Sequence, residues 1–104
     1  MTTRKKSKAM KQLEKLSGGP LTMAKLISST RLGLEMSQSD FAKKLGISRQ
    51  NLWEIENEQR SISTEMAAKF ARILGYSENQ YVRIALQDQL RRAGLKYEVN
   101  LDAA

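Results

Sequence analysis

Two short helical segments joined by a tight turn occupy residues 37–55, and their spacing leaves few folds open to the chain. Ser37 and Ser48 each stand where a side-chain oxygen can accept a hydrogen bond from a free N–H of the following first turn. Between them, Gly46 tolerates the positive φ that lets the chain reverse within about three residues. The pattern therefore predicts two helices packed against each other across a turn.

The apolar residues of these segments lie on the sides of the helices that would face each other and a core. Ala42 is small where the two helices would cross, and a small side chain permits close approach of the backbones. This combination predicts a helix-turn-helix motif. Its inward residues are Phe41, Ala42, Leu45, Ile47, Leu52 and Ile55.

Length and composition indicate one small globular domain. A chain of 104 residues can hold a single core, and 40% hydrophobic with 28% charged residues is typical of soluble proteins. No apolar run approaches the ~18 residues of a membrane span, and the lysine-rich start lacks the apolar centre of a signal peptide. We therefore expect a cytoplasmic location and no membrane partner.

The chain contains neither cysteine nor histidine. It therefore has no thiolate nucleophile, no disulfide, no cysteine-bound zinc and none of the side chains that most often act as general base or metal ligand. The remaining carboxylates form no pair that differs from ordinary helix-surface charges. We expect a protein that is not an enzyme, with no catalytic residues, no metal and no cofactor.

The net charge of +7 is concentrated at the start of the chain. Residues 1–20 carry six basic side chains and one acidic side chain, whereas the other 84 residues carry 12 basic and 10 acidic ones. Residues 1–20 are therefore expected to form a basic, largely flexible tail, with a short amphipathic helix at about 8–16. Two roles stay open for this tail: attraction of nucleic-acid phosphates through counterion release, or a disordered end that aids solubility.

Further helices surround the motif. Thr22 can cap a helix at about 23–34, and Ser63 a helix that ends at Gly75. Ser77 can cap a helix at about 78–93 that stops before Gly94. Ile73 is expected to face inward from the helix that precedes Gly75.

The last part of the chain predicts an association surface. Residues 95–101 alternate apolar and polar side chains, which indicates a half-buried β-strand, and a solitary strand needs a partner for its hydrogen bonds. We expect a homodimer built on the last helix and a two-stranded ribbon between chains; the alternative is a loosely packed extended tail. The residues predicted to form the dimer are Val82, Leu86, Leu90, Tyr97, Val99 and Leu101.

The motif resembles the Cro/CI-type (XRE-type) helix-turn-helix domain. The shared pattern, Ser-Gln-x-x-Phe-Ala-x-x-Leu-Gly-Ile-Ser-x-x-x-Leu-x-x-Ile-Glu, begins at Ser37, and the similarity extends from about Leu21 to about Gly75. Together with the closing segment, the resemblance implies an all-α, compact five-helix repressor-like domain with a short C-terminal β-strand for dimerisation. Glu58 stands where the family usually has glycine, so the turn there is expected to be built differently.

Three regions follow: a basic tail at 1–20, a DNA-binding domain at 21–75, and a dimerising helix and strand at 76–104. In the DNA-binding domain, Arg49 and Gln50 lie in the first turn of the second motif helix, which enters the major groove deepest in the resembling family. Arginine suits the two acceptors of guanine, and glutamine suits the acceptor–donor pair of adenine.

Neighbouring side chains complete the expected DNA contacts. Ser48 and Asn51 are expected to hold a phosphate or a base edge. Trp53 either packs on a thymine methyl or sugar edge, or lies against the loop at 57–60. Glu54 could accept from the cytosine amino group, although carboxylates here would equally be repelled by phosphate.

The resemblance itself implies three more roles. The glutamine that matches Gln38 in this family binds a phosphate and braces the second helix of the motif, and the N–H groups at the N-terminus of its own helix assist. Arg60 matches a basic loop position that reaches the phosphate chain. Glu56 matches a position that is usually structural.

Two functions are consistent with these expectations. The first is a homodimeric, sequence-specific repressor that binds a double-stranded DNA operator. The alternative is an antitoxin that binds and neutralises a partner toxin and represses its own operon, because the later helices and closing strand look like those of such regulators.

Overall fold

The structure is a computed structural model that describes residues 21–104; the tail and short helix expected within residues 1–20 lie outside the described residues. Five α-helices form the described part, and the all-α class is confirmed. None of these helices is long and apolar enough to span a membrane. The helices are α1 Met23–Gly33, α2 Gln38–Leu45, α3 Arg49–Glu56, α4 Thr64–Leu74 and α5 Glu78–Arg92.

Every described helix begins at a hydroxyl-bearing cap. In each case the side-chain oxygen accepts a hydrogen bond from the N–H three residues later, at 3.0–3.2 Å, which satisfies one of the N–H groups that the first turn leaves free. The predicted caps are therefore confirmed. They are Thr22, Ser37, Ser48, Ser63 and Ser77.

The C-terminal ends of the five described helices also share one pattern of backbone hydrogen bonds. Each is closed by an N–H that donates to a carbonyl five residues back, around a residue with positive φ. Three of these residues are glycines, but Glu35 and Glu58 adopt φ values of 56° and 58°. The turn after α3 therefore has the same backbone conformation as a glycine turn. Glu58 adopts the left-handed conformation despite the steric energy that its Cβ adds there.

The core lies where α1 to α5 converge. Leu52 and Ile55 of α3 are buried against the same cluster as Phe41 and Leu45 of α2, so the two motif helices are held by their apolar sides. The expectation for Ile73 was wrong, because it is 37% exposed. The other fully buried large side chains include Ile27, Phe70 and Tyr81.

Helix α5 packs mainly on α4 and also on α1. Its buried face consists of Tyr81, Ile84 and Ala85, which belong to the core cluster. The residues of α5 that were predicted for dimerisation lie beside this face and are half-buried in the single chain. They are Val82, Leu86 and Leu90.

The predicted C-terminal β-strand is wrong: residues 95–101 contain no strand, and none occurs elsewhere within residues 21–104. This C-terminal segment instead lies against α5 of its own chain. The side chain of Gln87 donates to the Tyr97 carbonyl at 2.6 Å and accepts from the Val99 N–H at 3.0 Å. A helix side chain thus supplies the hydrogen bonds that the alternating pattern would require from a neighbouring strand.

The side chains predicted for dimerisation in the C-terminal segment differ in exposure. Val99 is buried, at 7% exposure, whereas Tyr97 is 57% exposed and Leu101 is half-buried. The alternation of the sequence therefore does not correspond to one covered face.

A buried carboxylate connects the helices. Glu56, at the end of α3, accepts two hydrogen bonds from Arg31 of α1 at 2.9 and 3.0 Å and one from Ser28 at 2.8 Å. Its side chain is 5% exposed, and that of Arg31 is 16% exposed. Arg31 also donates to the Met36 carbonyl, so α1 is joined to the start of the motif. The structural role implied for Glu56 agrees with this geometry.

The protonation of Glu56 depends on these partners. Burial alone would raise the pKa of its carboxyl group, but the hydrogen bonds from Arg31 and Ser28, the guanidinium charge and the Gln38 side chain together lower the pKa below its usual value. The ionised carboxylate is therefore the form that stabilises the fold.

Replacement of Glu58 by glycine should stabilise the protein. Glycine adopts φ near 58° without the steric cost of a Cβ, and the ion pair lost with Arg91 is long, at 3.6 Å, and largely exposed. We expect Glu58→Gly to raise the free energy of unfolding by about 1 kcal/mol in urea titrations. Glu98→Gly, at a residue without positive φ, is the control; an equal gain there would exclude the conformational explanation.

Glu56→Gln should destabilise the protein in a pH-dependent way. Because the folded pKa is lowered, the stabilisation by Glu56 is present above the unfolded pKa of about 4.3 and is lost as pH falls through the folded pKa. We expect a loss of about 3 kcal/mol of unfolding free energy at pH 7. The difference from the wild type should shrink below pH of about 4.

The measurement is urea denaturation of both proteins between neutral and acidic pH. Glu98→Gln, which removes an exposed carboxylate, is the matched control and should follow the wild type. A wild-type advantage that stays constant down to the acid limit would contradict the assignment of the charge on Glu56.

Candidate nucleic-acid interface

Helix α3, which we call the reading helix, has one side in the core and one side open. Leu52 and Ile55 are 0% and 2% exposed, so the rotation of the helix about its axis is determined by its apolar residues. The opposite arc then faces away from the protein. It carries Arg49, Gln50 and Trp53, all of which are exposed.

Arg49 and Gln50 lie in the first turn of the reading helix. Both are exposed, and their side chains form no hydrogen bond or ion pair with any residue in the range 21–104. An arginine fork and a glutamine amide placed side by side at a helix start can present donors and acceptors to base edges in a groove. The structure thus leaves available the two side chains expected to read bases.

The start of the reading helix is held by its own cap. The Ser48 hydroxyl accepts from the Asn51 N–H at 3.0 Å, which engages its oxygen but leaves its hydrogen able to donate. The Asn51 side chain is half-buried beside it. Both expected residues therefore lie next to Arg49 and Gln50, with Ser48 serving first as a structural cap.

Trp53 is partly covered. Its side chain is 44% exposed, so somewhat more than half of its surface lies against protein while the rest faces solvent. The following turn is tied to its backbone, because the Asn57 amide donates to the Trp53 carbonyl at 2.9 Å. An indole in this position can contact a thymine methyl or a sugar through its open part.

Glu54 and Arg60 are paired across the end of the reading helix. The Arg60 guanidinium lies 3.4 Å from the Glu54 carboxylate, with side-chain exposures of 47% and 23%. The turn between them is closed by a hydrogen bond from the Gln59 N–H to the Glu54 carbonyl at 2.7 Å. The expected cytosine reader and the expected phosphate contact are thus brought together and partly neutralise each other.

Gln38 is the first residue of α2 and is half-buried. Its side chain is among the groups that lower the pKa of Glu56, so it lies beside the carboxylate at the end of the reading helix. This arrangement agrees with the bracing role implied for Gln38.

Sequence reasoning missed the partners of Glu56. Arg31 and Ser28 lie 25 and 28 residues away in the chain, and only the packing of α1 against α3 brings them to the carboxylate. An arginine in the last turn of α1 was the one available signal, but such a residue is equally expected to interact with the helix dipole.

Comparison with known proteins gives one match. The family model described as helix-turn-helix matches residues 27–80, just over half of the chain, and includes α2 and α3 entirely. No curated protein and no solved structure shows significant similarity. The matched region contains the capped helices, the Gly46 turn and the exposed arc of the reading helix. The resemblance to Cro/CI-type (XRE-type) regulators is therefore confirmed, and the chain belongs to the helix-turn-helix family of DNA-binding transcription regulators.

Proposed function

We propose that the protein is a sequence-specific repressor that binds a double-stranded DNA operator as a homodimer. The observation that carries this proposal is the reading helix, whose apolar side is buried in the core while Arg49 and Gln50 are exposed at its start, with no side-chain partner among residues 21–104. An α-helix presented in this way matches the width of the major groove, where every base pair has a distinct set of donors and acceptors.

The base contacts are assigned by hydrogen-bonding capacity. Arg49 would donate both arms of its guanidinium to the acceptors of guanine, and Gln50 would pair with the acceptor and donor of adenine. Asn51 would contact a base edge or phosphate from the half-buried flank of the same turn. The open part of the Trp53 ring would rest on a thymine methyl or sugar edge.

The phosphate contacts come from residues beside the reading helix. Gln38, Ser48 and Arg60 would hold the DNA backbone and set the angle at which the helix enters the groove. In the free protein, the Glu54 carboxylate forms an ion pair with the Arg60 guanidinium at 3.4 Å. Because Glu54 already has this partner, the geometry favours a role in orienting Arg60 over direct reading of cytosine.

Two copies would act together. One reading helix covers only about half a turn of groove, whereas two copies related by a two-fold axis would read half-sites about 34 Å apart and add their base contacts. Occupancy of such an operator would exclude other proteins from the same DNA, which is the simplest route to repression for a chain of this size.

The alternative role as an antitoxin drew on the later helices and on a closing β-strand. Residues 95–101 lie on α5 instead of forming that strand, which removes one of the two features behind this alternative. We therefore place sequence-specific DNA binding ahead of the antitoxin role.

The direct test has two stages. Random duplexes are first selected with the purified protein and sequenced, and the selected operator is then titrated against a scrambled duplex at several salt concentrations. At physiological salt, the affinity for a true operator should exceed the affinity for the scrambled duplex by a factor of about 10³ or more. Equal affinity for the two duplexes at every salt concentration would eliminate sequence-specific reading.

Arg49→Ala and Gln50→Ala should relax specificity. Each change removes hydrogen bonds to base edges, so we expect operator affinity to fall by about 1–3 kcal/mol while binding to the scrambled duplex changes little. Lys44→Ala, at an exposed position on α2 outside the reading helix, is the control for a lost positive charge. If Arg49→Ala weakened both duplexes to the same extent, its contact would be with phosphate and not with a base.

Gln38→Ala should weaken all duplexes alike, because a phosphate contact carries no sequence information. The measurement is the same titration, with the ratio of operator to scrambled affinity as the readout, and we expect the ratio to stay constant. Thermal melting of the variant, compared with that of Glu56→Gln, separates loss of the phosphate contact from loss of support to the carboxylate. A fall in the ratio would instead identify Gln38 as a base reader.

A further inference from the structure

Lys69 lies on the exposed side of α4, outside the two motif helices, yet its charge is placed at the turn between them. Its Nζ atom is 3.9 Å from the position that a Cβ on Gly46 would occupy. Apart from the chain neighbours of Gly46, no other atom of residues 21–104 lies within 4 Å of that position. The packing of α4 on α2 therefore brings a lysine ammonium group to the turn that precedes the reading helix.

The charge of Lys69 is not neutralised within the described part of the chain. Glu65 stands one helical turn earlier on α4, at a spacing that commonly gives an ion pair on a helix surface. Even so, Lys69 forms no ion pair and no side-chain hydrogen bond with any of residues 21–104. Arg49, in the first turn of the reading helix, is likewise without a partner there. Two unengaged cations thus lie near the start of the reading helix.

The other end of the reading helix has a different electrostatic character. Three carboxylates at that end are paired with arginines. The pairs are Glu54 with Arg60, Glu56 with Arg31 and Glu58 with Arg91. Along the reading helix, the positive charge available to an anion therefore lies at its start, where the helix dipole is also positive.

The turn beside Lys69 would pass close to the DNA backbone. An α-helix with its side chains is about 10–12 Å in diameter, and the major groove is about 12 Å wide. A reading helix in the groove therefore fills it, and the turn before the first helical residue meets one of the two phosphate strands that form the walls. Ser48 follows Gly46 by two residues, so their Cα atoms are at most about 7.6 Å apart. Lys69 and Ser48 thus face the same short stretch of DNA backbone.

We propose that Lys69 binds a phosphate of the DNA backbone beside the start of the reading helix, as a contact that α4 contributes from outside the helix-turn-helix motif. This inference rests on the proposed DNA binding and adds a phosphate site at the opposite end of the reading helix from Arg60. A lysine acts on phosphate as a point charge, so Lys69 helps to position the reading helix and carries no sequence information.

The same charge has a structural role from which the DNA contact must be separated. A cation beside the last turn of α2 interacts favourably with the negative end of that helix dipole. This interaction stabilises the folded protein and contributes nothing to the affinity for DNA. The two roles therefore differ in which measurement responds to removal of the charge.

The salt dependence of DNA binding tests the phosphate contact. The full chain is titrated with the selected operator and with the scrambled duplex between about 50 and about 200 mM salt, and each neutralised phosphate contributes about −0.9 to the slope of log affinity against log salt. We expect Lys69→Ala to weaken binding to both duplexes alike and to reduce the magnitude of this slope by about 0.9 for each bound copy. The loss of affinity should accordingly shrink by about threefold per copy over this salt range.

Lys44→Ala is the matched control. Lys44 is an exposed lysine two residues before Gly46, but its side chain does not come within 4 Å of the Gly46 Cβ position, so the slope should stay at the wild-type value. Lys69→Arg retains the charge and should also retain the slope. An unchanged slope in Lys69→Ala, or an equal change in Lys44→Ala, overturns the assignment.

Urea denaturation of the same variants addresses the structural role. If Lys69→Ala lowers the free energy of unfolding while the salt slope stays at the wild-type value, the charge serves only the end of α2 and the proposal fails. A reduced slope in a variant of wild-type stability supports the phosphate contact.

The scrambled duplex keeps this test separate from base reading. If no operator is selected but Lys69→Ala still reduces the slope on the scrambled duplex, sequence-specific reading fails and the phosphate contact stands. If the operator is still distinguished from the scrambled duplex while Lys69→Ala leaves both slopes unchanged, the contact is wrong and the proposed function stands.

Discussion

The buried carboxylate of Glu56 is the interaction on which the geometry of the DNA-binding face depends. It ends the reading helix, accepts hydrogen bonds from Arg31 and Ser28 of α1, and lies beside Gln38 at the start of α2. Three helices that would otherwise meet only through apolar contacts are thereby held in one orientation. Since a buried charge without its partner is costly, the arrangement tolerates little rotation of α3.

Backbone turns supply the second constraint. Each described helix is shorter than or about as long as a marginally stable isolated helix, so its ends must be satisfied within the fold. Hydroxyl caps at the N-termini and left-handed residues at the C-termini do this with local bonds. At Glu58 the requirements of the turn prevail over the conformational preference of the side chain. The turn after the reading helix is left-handed at this position although the residue is not glycine.

The proposed DNA-binding face and the contacts that hold the C-terminal segment lie on different elements. The proposed reading depends on α2, α3 and the loop to Arg60, whereas Asn79 and Gln87 of α5 donate hydrogen bonds to the main chain of the C-terminal segment. The two are connected through the core, since α5 packs on α4 and α1.

Local sequence determined much of this protein: five caps, the glycine turn at Gly46, the inward side of the reading helix, and hence the exposure of Arg49 and Gln50. These features follow from hydrogen bonds and periodicity within a few residues. Only the tertiary structure decided the partners of Glu56, the exposure of Ile73 and the course of residues 95–101. Alternating side chains in that segment indicated a strand, but a strand requires backbone partners, and the Gln87 amide met that requirement from a helix that only folding brings alongside.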